Sequence, residues 1–196
     1  MLGGTFNPVT RAHLELAGAA MQEFSVAEVL FILPTVLPHR APEEATLEER
    51  LALLAAALAC EERFSLAMCS HGLLLEMARA LAPHYPSTVE VYFLLGSDAA
   101  ERILRWNYPD PGTALAEMFA CFDLVVAERG GPFVMPAEPS VQPFRRQIHT
   151  LRLPPDTQEI SATRVRERLQ AGQPVEELLP PAVSAEIRRL GLYRAR

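Results

Sequence analysis

The feature that most constrains this chain is the alternation of short apolar runs with segments of helical period along its whole length. Residues 14–24 put Leu14, Ala17, Met21 and Phe24 on one helical face. Val29–Leu33 is then an apolar run closed by Pro34, as a buried strand requires. Thr46 and Glu49 spell a capping box ahead of Leu51, Leu54, Ala55 and Leu58, and Phe64, Leu66 and Met68 alternate with smaller residues as strands do. A helix near 73–82 follows. Val89–Leu95, Asp123–Ala127 and Gln147–Leu153 read as further strands, and 99–105, 113–121, 162–171 and 182–191 as helices. Residues 129–145, rich in Gly and Pro, read as a surface loop. This order predicts an α/β fold, a doubly wound, mostly parallel sheet with helices on both faces and ligands at the carboxyl ends of the strands. With 196 residues, 49% of them hydrophobic, the chain suffices for a single domain over 1–196, with 160–196 a C-terminal helical segment.

Composition narrows the function classes. A formal charge of −6 argues against nucleic acid as a partner, because binding the phosphate backbone draws on clustered Lys and Arg. The chain holds no apolar run of about twenty residues, and its first residues lack a basic segment followed by an apolar core. No membrane span or secretion is therefore expected, and the cytoplasm is the expected location. Cys60, Cys69 and Cys121 show no C-x-x-C spacing and sit among apolar residues, so they are expected to be buried free thiols.

The chemistry-bearing residues fall just after expected strands. In MLGGTFNPVTRAH, Gly3 and Gly4 lack a Cβ, so a ligand can approach the backbone and either residue can take positive φ. Pro8 fixes the entry to a helix, Thr10 suits its N-cap, and His13 falls in the first turn, where N–H groups and the helix dipole favour an anion. Pro38-His39-Arg40 follows the strand 29–33, and Gly96-Ser97-Asp98 follows VYFLL and leads on to Trp106, the only tryptophan. In Ile160–Arg166, Ser161 can cap a helix, Thr163 lies in its first turn and Arg166 one turn on, so hydroxyls, N–H groups and a guanidinium can meet one anion.

Together these strings resemble a known enzyme family. GGTFNPVTRAHL resembles the nucleotidyltransferase signature GG-[TS]-F-[DN]-P-x-[HT]-x-G-H, with Thr10 at the first His and Ala12 at the glycine. PHR resembles the P-x-x-x-P-H-[KR] element of bacterial nicotinate mononucleotide adenylyltransferases, LGSDAAERILRW their G-x-D-x-x-x-x-x-x-x-W pattern, and ISATRVR their I-S-[SA]-T-x-[IV]-R motif. The tail GQPVEELLPPAVSAEIRRLGLY, with Tyr193, resembles their closing segment. The resemblance implies a Rossmann-like fold and transfer of AMP from ATP to nicotinate mononucleotide, giving nicotinate adenine dinucleotide and pyrophosphate in NAD biosynthesis.

Site roles follow by the same resemblance. Catalysis would fall to His13, Thr10, Arg40 and Arg166, with His13 and Thr10 bridging phosphates. ATP binding would fall to Gly3, Gly4, Thr5, Phe6, Gly96, Asp98, Ser161 and Thr163. The mononucleotide would lie on His39 and on Trp106, whose indole would stack on the pyridine beside Asn107 and Tyr108. Mg²⁺ would arrive with ATP, with no metal ligand set from the protein. The chain departs from the family at Ser70-His71-Gly72-Leu73-Leu74-Leu75, where relatives carry a Ser-Tyr-Thr-x-x-Thr-like stretch. Two alternatives therefore stay open: an adenylyl- or cytidylyltransferase with another phosphorylated acceptor, and a nucleotide-binding sensor without turnover. Only Met1 and Leu2 precede Gly3, so the first strand is expected to be truncated. The family pattern implies that this strand lies mid-sheet, and the physiological chain is expected to begin several residues upstream.

Overall fold

The computed structural model describes residues 1–36, 44–128 and 131–194. Its strands are β1 (Leu2–Gly3), β2 (Val29–Pro34), β3 (Phe64–Cys69), β4 (Tyr92–Gly96), β5 (Asp123–Glu128) and β6 (Ile148–Arg152). Its helices are α1 (Arg11–Glu23), α2 (Leu47–Leu58), α3 (Leu74–Leu81), α4 (Ser97–Leu104), α5 (Pro111–Phe119), α6 (Pro155–Gln158), α7 (Ala162–Gln170) and α8 (Pro181–Leu190). All strand pairs are parallel, in two three-stranded sheets ordered β1-β2-β3 and β4-β5-β6. The sheets meet at β1, where Met1 N donates to Tyr92 O at 2.6 Å and Leu94 N donates to Met1 O at 2.9 Å. Across the molecule the order is β3-β2-β1-β4-β5-β6, so the two-residue β1 is central and the winding reverses between β1 and β4.

Strand alternation feeds two cores. Phe31, Leu33, Leu94, Val125, Ala127 and Leu151 pack with α1, α2, α7 and α8, while Leu30, Ile32, Phe93, Leu95, Leu124 and Val126 pack with α3, α4 and α5. Side chains pointing to opposite faces of each strand make the three layers, and both faces of the strands are apolar because both are covered. The capping box expected at Thr46 is present: Glu49 N donates to Thr46 Oγ1 at 3.2 Å and Thr46 N donates to Glu49 Oε2 at 2.7 Å.

Three expectations are corrected. β4 starts at Tyr92 rather than Val89, which is 45% exposed and whose N–H closes a turn on Pro86 O. The segment 129–145 is not wholly a surface loop: among its described residues Val141 is fully buried and Gln142–Gln147 forms a 3₁₀ helix whose Phe144 stacks on Phe119 with centroids 4.9 Å apart. The three cysteines are free, but only Cys69 is buried; Cys60 and Cys121 occupy exposed turns just past the ends of α2 and α5.

Candidate active site

The first helix crossover leaves β1 through a tight loop at the point where the sheet winding reverses, the usual ligand crevice of an open parallel sheet. Gly4 N donates to Ile32 O at 3.2 Å, and a Cβ on Gly4 would lie 3.2 Å from the Phe6 ring, close enough to press on it. Neither Gly3 nor Gly4 takes positive φ, as the sequence reading had allowed; Phe6 does, at 44°. Its ring is 2% exposed and lies 5.2 Å from the His13 ring and 5.8 Å from Phe31, so core burial holds a backbone that an L residue rarely adopts. Phe6 can therefore offer a nucleotide only its backbone. No described residue accepts from the N–H of Thr5, Phe6 or Asn7.

Thr10 and His13 form a reciprocal pair at the start of α1. Thr10 N donates to His13 Nδ1 at 3.0 Å, and Thr10 Oγ1 lies 2.8 Å from the same nitrogen. A backbone N–H can only donate, so Nδ1 accepts and the ring proton of the neutral imidazole sits on Nε2. Thr10 is fully buried, which corrects its expected contact with phosphate: its hydroxyl is committed to the histidine. Ala12, at the position of the family glycine, is also fully buried, and its methyl belongs to the core.

The C-terminal segment reaches the same loop. Ser161 caps α7, accepting from Arg164 N at 3.1 Å, and exposed Thr163 Oγ1 lies 3.4 Å from an Arg166 nitrogen. Arg166 donates to Asn7 O at 2.8 Å and pairs through Nε with Glu44 Oε2 at 2.8 Å. Its expected role as a phosphate ligand thus meets a competitor, because Glu44 holds one edge of the guanidinium. Tyr193 donates to Asn7 Oδ1 at 2.6 Å, and burial pushes its hydroxyl pKa well above the ordinary value. Arg50, on α2, donates to Thr5 O at 3.0 Å. Glu44, Arg50 and the contact of Tyr193 with Asn7 were not identified as site features from sequence; each depends on pairing between distant segments.

On the far side of the winding reversal, Gly96 ends β4 and caps α4, and Asp98 stands exposed in that helix's first turn. An open surface pocket of about 420 Å³ is lined by Asp98, Glu101, Arg102, Arg105, Trp106 and Asn107. Trp106 is 46% exposed. Arg105 is engaged by Glu101 and by Glu138, the latter at 2.9 Å. Tyr108 instead turns inward and donates to Ile103 O at 3.1 Å. His39 and Arg40 lie outside the described residues. The structure therefore brings the glycine loop, Thr10, His13 and Arg166 together, while Gly96 ends β4, the strand beside β1, and Asp98 and Trp106 line the pocket that follows it at α4. Among the described residues no group of His, Cys, Asp and Glu side chains is arranged to hold a metal ion, and no helix is long and apolar enough to cross a membrane.

Comparison with known proteins agrees with this fold. Residues 1–168 match the family described as cytidylyltransferase-like. A probable nicotinate-nucleotide adenylyltransferase of Chromobacterium violaceum is 32% identical over 99% of this chain and 97% of its own length. One of Bordetella petrii is 34% identical over 99% and 97%. Among solved structures, the Plasmodium falciparum nicotinic acid mononucleotide adenylyltransferase complexed with NaAD superposes with a TM-score of 0.72 at 16% identity, over 98% of this chain and 95% of that one, a likeness of fold.

Proposed function

The chain belongs to the cytidylyltransferase-like family and, within it, to the nicotinate-nucleotide adenylyltransferases, and from that premise we propose how its residues transfer AMP from ATP to nicotinate mononucleotide. The observation that carries the assignment is the end-to-end match to relatives of that name, which spans the glycine loop, the α4 start and the α7 start alike. A phosphate oxygen of the mononucleotide attacks the α-phosphorus of ATP in line. The new P–O bond forms as the bond to the β-phosphate oxygen breaks, pyrophosphate leaves, and the dinucleotide of NAD biosynthesis remains.

The protein's part is positioning and charge stabilisation, since no covalent bond to the chain is needed. His13 donates from Nε2 to a phosphoryl oxygen, its Nδ1 being occupied by Thr10. The N–H groups of Thr5 and Phe6, from which no described residue accepts, donate to phosphate oxygens beside Gly3 and Gly4. Ser161 and Thr163 at the α7 start hold the leaving pyrophosphate, with Arg166 supplying positive charge. Arg40 and His39 supply further contacts to phosphate and mononucleotide. Asp98 and Gly96 take the ATP ribose, and Trp106 stacks on the pyridine ring. Mg²⁺ enters as part of the ATP substrate, held by phosphate oxygens and water.

The test is pyrophosphate release with MgATP and a panel of phosphorylated acceptors. Release with nicotinate mononucleotide in preference to its amide is expected. No release with either pyridine nucleotide would overturn the assignment, and turnover with another acceptor alone would replace it.

A further inference from the structure

Arg50 stands apart from every other charged residue among the described residues. It is 2% exposed, one of the largest fully buried side chains, although arginine is almost never fully buried without a partner charge. Its guanidinium donates to a carbonyl, Thr5 O, at 3.0 Å, and its buried Nε has no acceptor. Burial pulls its pKa below the ordinary value, against the opposing pull of Tyr193 and Glu48. An apolar side chain would fill this place at no desolvation cost, so stability does not account for the arginine.

The loop geometry supplies an account. The cis peptide in this segment is Asn7-Pro8, and Thr5–Phe6 is trans. In a trans peptide the carbonyl and the following N–H point in opposite directions. The bond from Arg50 holds Thr5 C=O inward, so the Phe6 N–H points outward, where no described residue accepts from it. The same peptide leads into the positive φ of Phe6, a conformation that persists only when its surroundings enforce it. A charge-assisted bond to the carbonyl also polarises the N–H on the other side of the peptide.

We propose that Arg50 is a positioning residue of the phosphate site: from behind the glycine loop it fixes the Thr5–Phe6 peptide with its N–H toward the triphosphate, and it sets a buried positive charge beneath that anion. This rests on the reading of the loop as the ATP site. Arg50 touches no substrate; it acts through the loop.

The experiment compares Arg50→Met and Arg50→Lys with the unaltered protein, reading the thermal midpoint, equilibrium binding of MgATP without any acceptor, and KM and kcat for both substrates. Arg50→Met should keep or raise the midpoint, yet weaken MgATP binding roughly ten- to a hundredfold, the range for losing a charged hydrogen bond. KM for the mononucleotide should change much less. Arg50→Lys keeps the charge without the planar fork and should recover part of the loss. Unchanged MgATP binding in Arg50→Met would overturn the proposal. A lower midpoint with both substrates weakened alike would also overturn it, as that is a packing role. If Arg50→Met does not fold, Arg50→Lys decides: weaker MgATP binding with an unchanged midpoint supports the proposal, and unaltered binding refutes it. MgATP binding needs no acceptor, so failure here is distinguishable from failure of the acceptor assignment.

Discussion

Replacing Thr10 by valine keeps the volume of a fully buried residue and removes a single hydroxyl, the one 2.8 Å from His13 Nδ1. The backbone N–H of residue 10 still donates to that nitrogen, so the ring keeps its tautomer and loses one of the two Thr10 contacts to Nδ1. A neutral hydrogen bond of this kind is worth about 1 kcal/mol, which is about fivefold in kcat if the restraint matters only in the transition state. Direct contact between Thr10 and a phosphate would cost about 1.5–3 kcal/mol, roughly ten- to 150-fold. The two accounts separate in a double-mutant cycle read by pyrophosphate release at saturating substrates. His13→Ala alone should cost about 10²–10³ in kcat, as for removal of one preorganised donor. If Thr10 acts through His13, adding Thr10→Val to His13→Ala changes nothing further, and Thr10→Ser behaves as the unaltered protein. A fivefold loss that persists in the His13→Ala background would refute the reasoning.

Three further outcomes are expected. Trp106→Ala should raise KM for the mononucleotide and leave ATP much less affected; equal weakening of both, or loss of the fold, would assign the indole to packing. Glu44→Gln removes the carboxylate paired with Arg166 and should lower KM for ATP about threefold, in keeping with about 0.5–1 kcal/mol for a partly exposed pair; an unchanged or higher KM refutes competition for that guanidinium. Tyr193 has a folded-state pKa raised above its ordinary 10.0, chiefly by burial, so above pH 10 the unfolded chain ionises first and the stabilisation drains away. The thermal midpoint of the unaltered protein should therefore exceed that of Tyr193→Phe near pH 8 and converge on it past pH 10; parallel curves would refute the assignment.

What could be read from the sequence was local. Thr46 and Glu49 announced their helix because a capping box lies within one turn, and the apolar strands announced themselves because both faces of a parallel sheet are covered. Thr10 and His13 were legible as a cap and a first-turn histidine, but their mutual bond, which withdraws Thr10 from the ligand, was not. Arg50 sits at an ordinary helical position whose residue type speaks for solvent, and only the fold turns it under the loop. Val141, within a stretch of Gly and Pro, was read from its neighbours' composition; its burial depends on the distant sheet that covers it.

The donors that grip the Thr5–Asn7 segment come from progressively later parts of the chain: Arg50 lies 45 residues from Thr5, Arg166 lies 159 from Asn7, and Tyr193 lies 186 from it. A chain emerging from a ribosome completes them in that order. When β6 has paired, the described strands are all in place, yet of these three side-chain donors Arg50 alone has reached the loop, and the two closures that finish it span nearly the full contour of the molecule. The loop is therefore fully gripped only once α7 and the segment after α8 have been made.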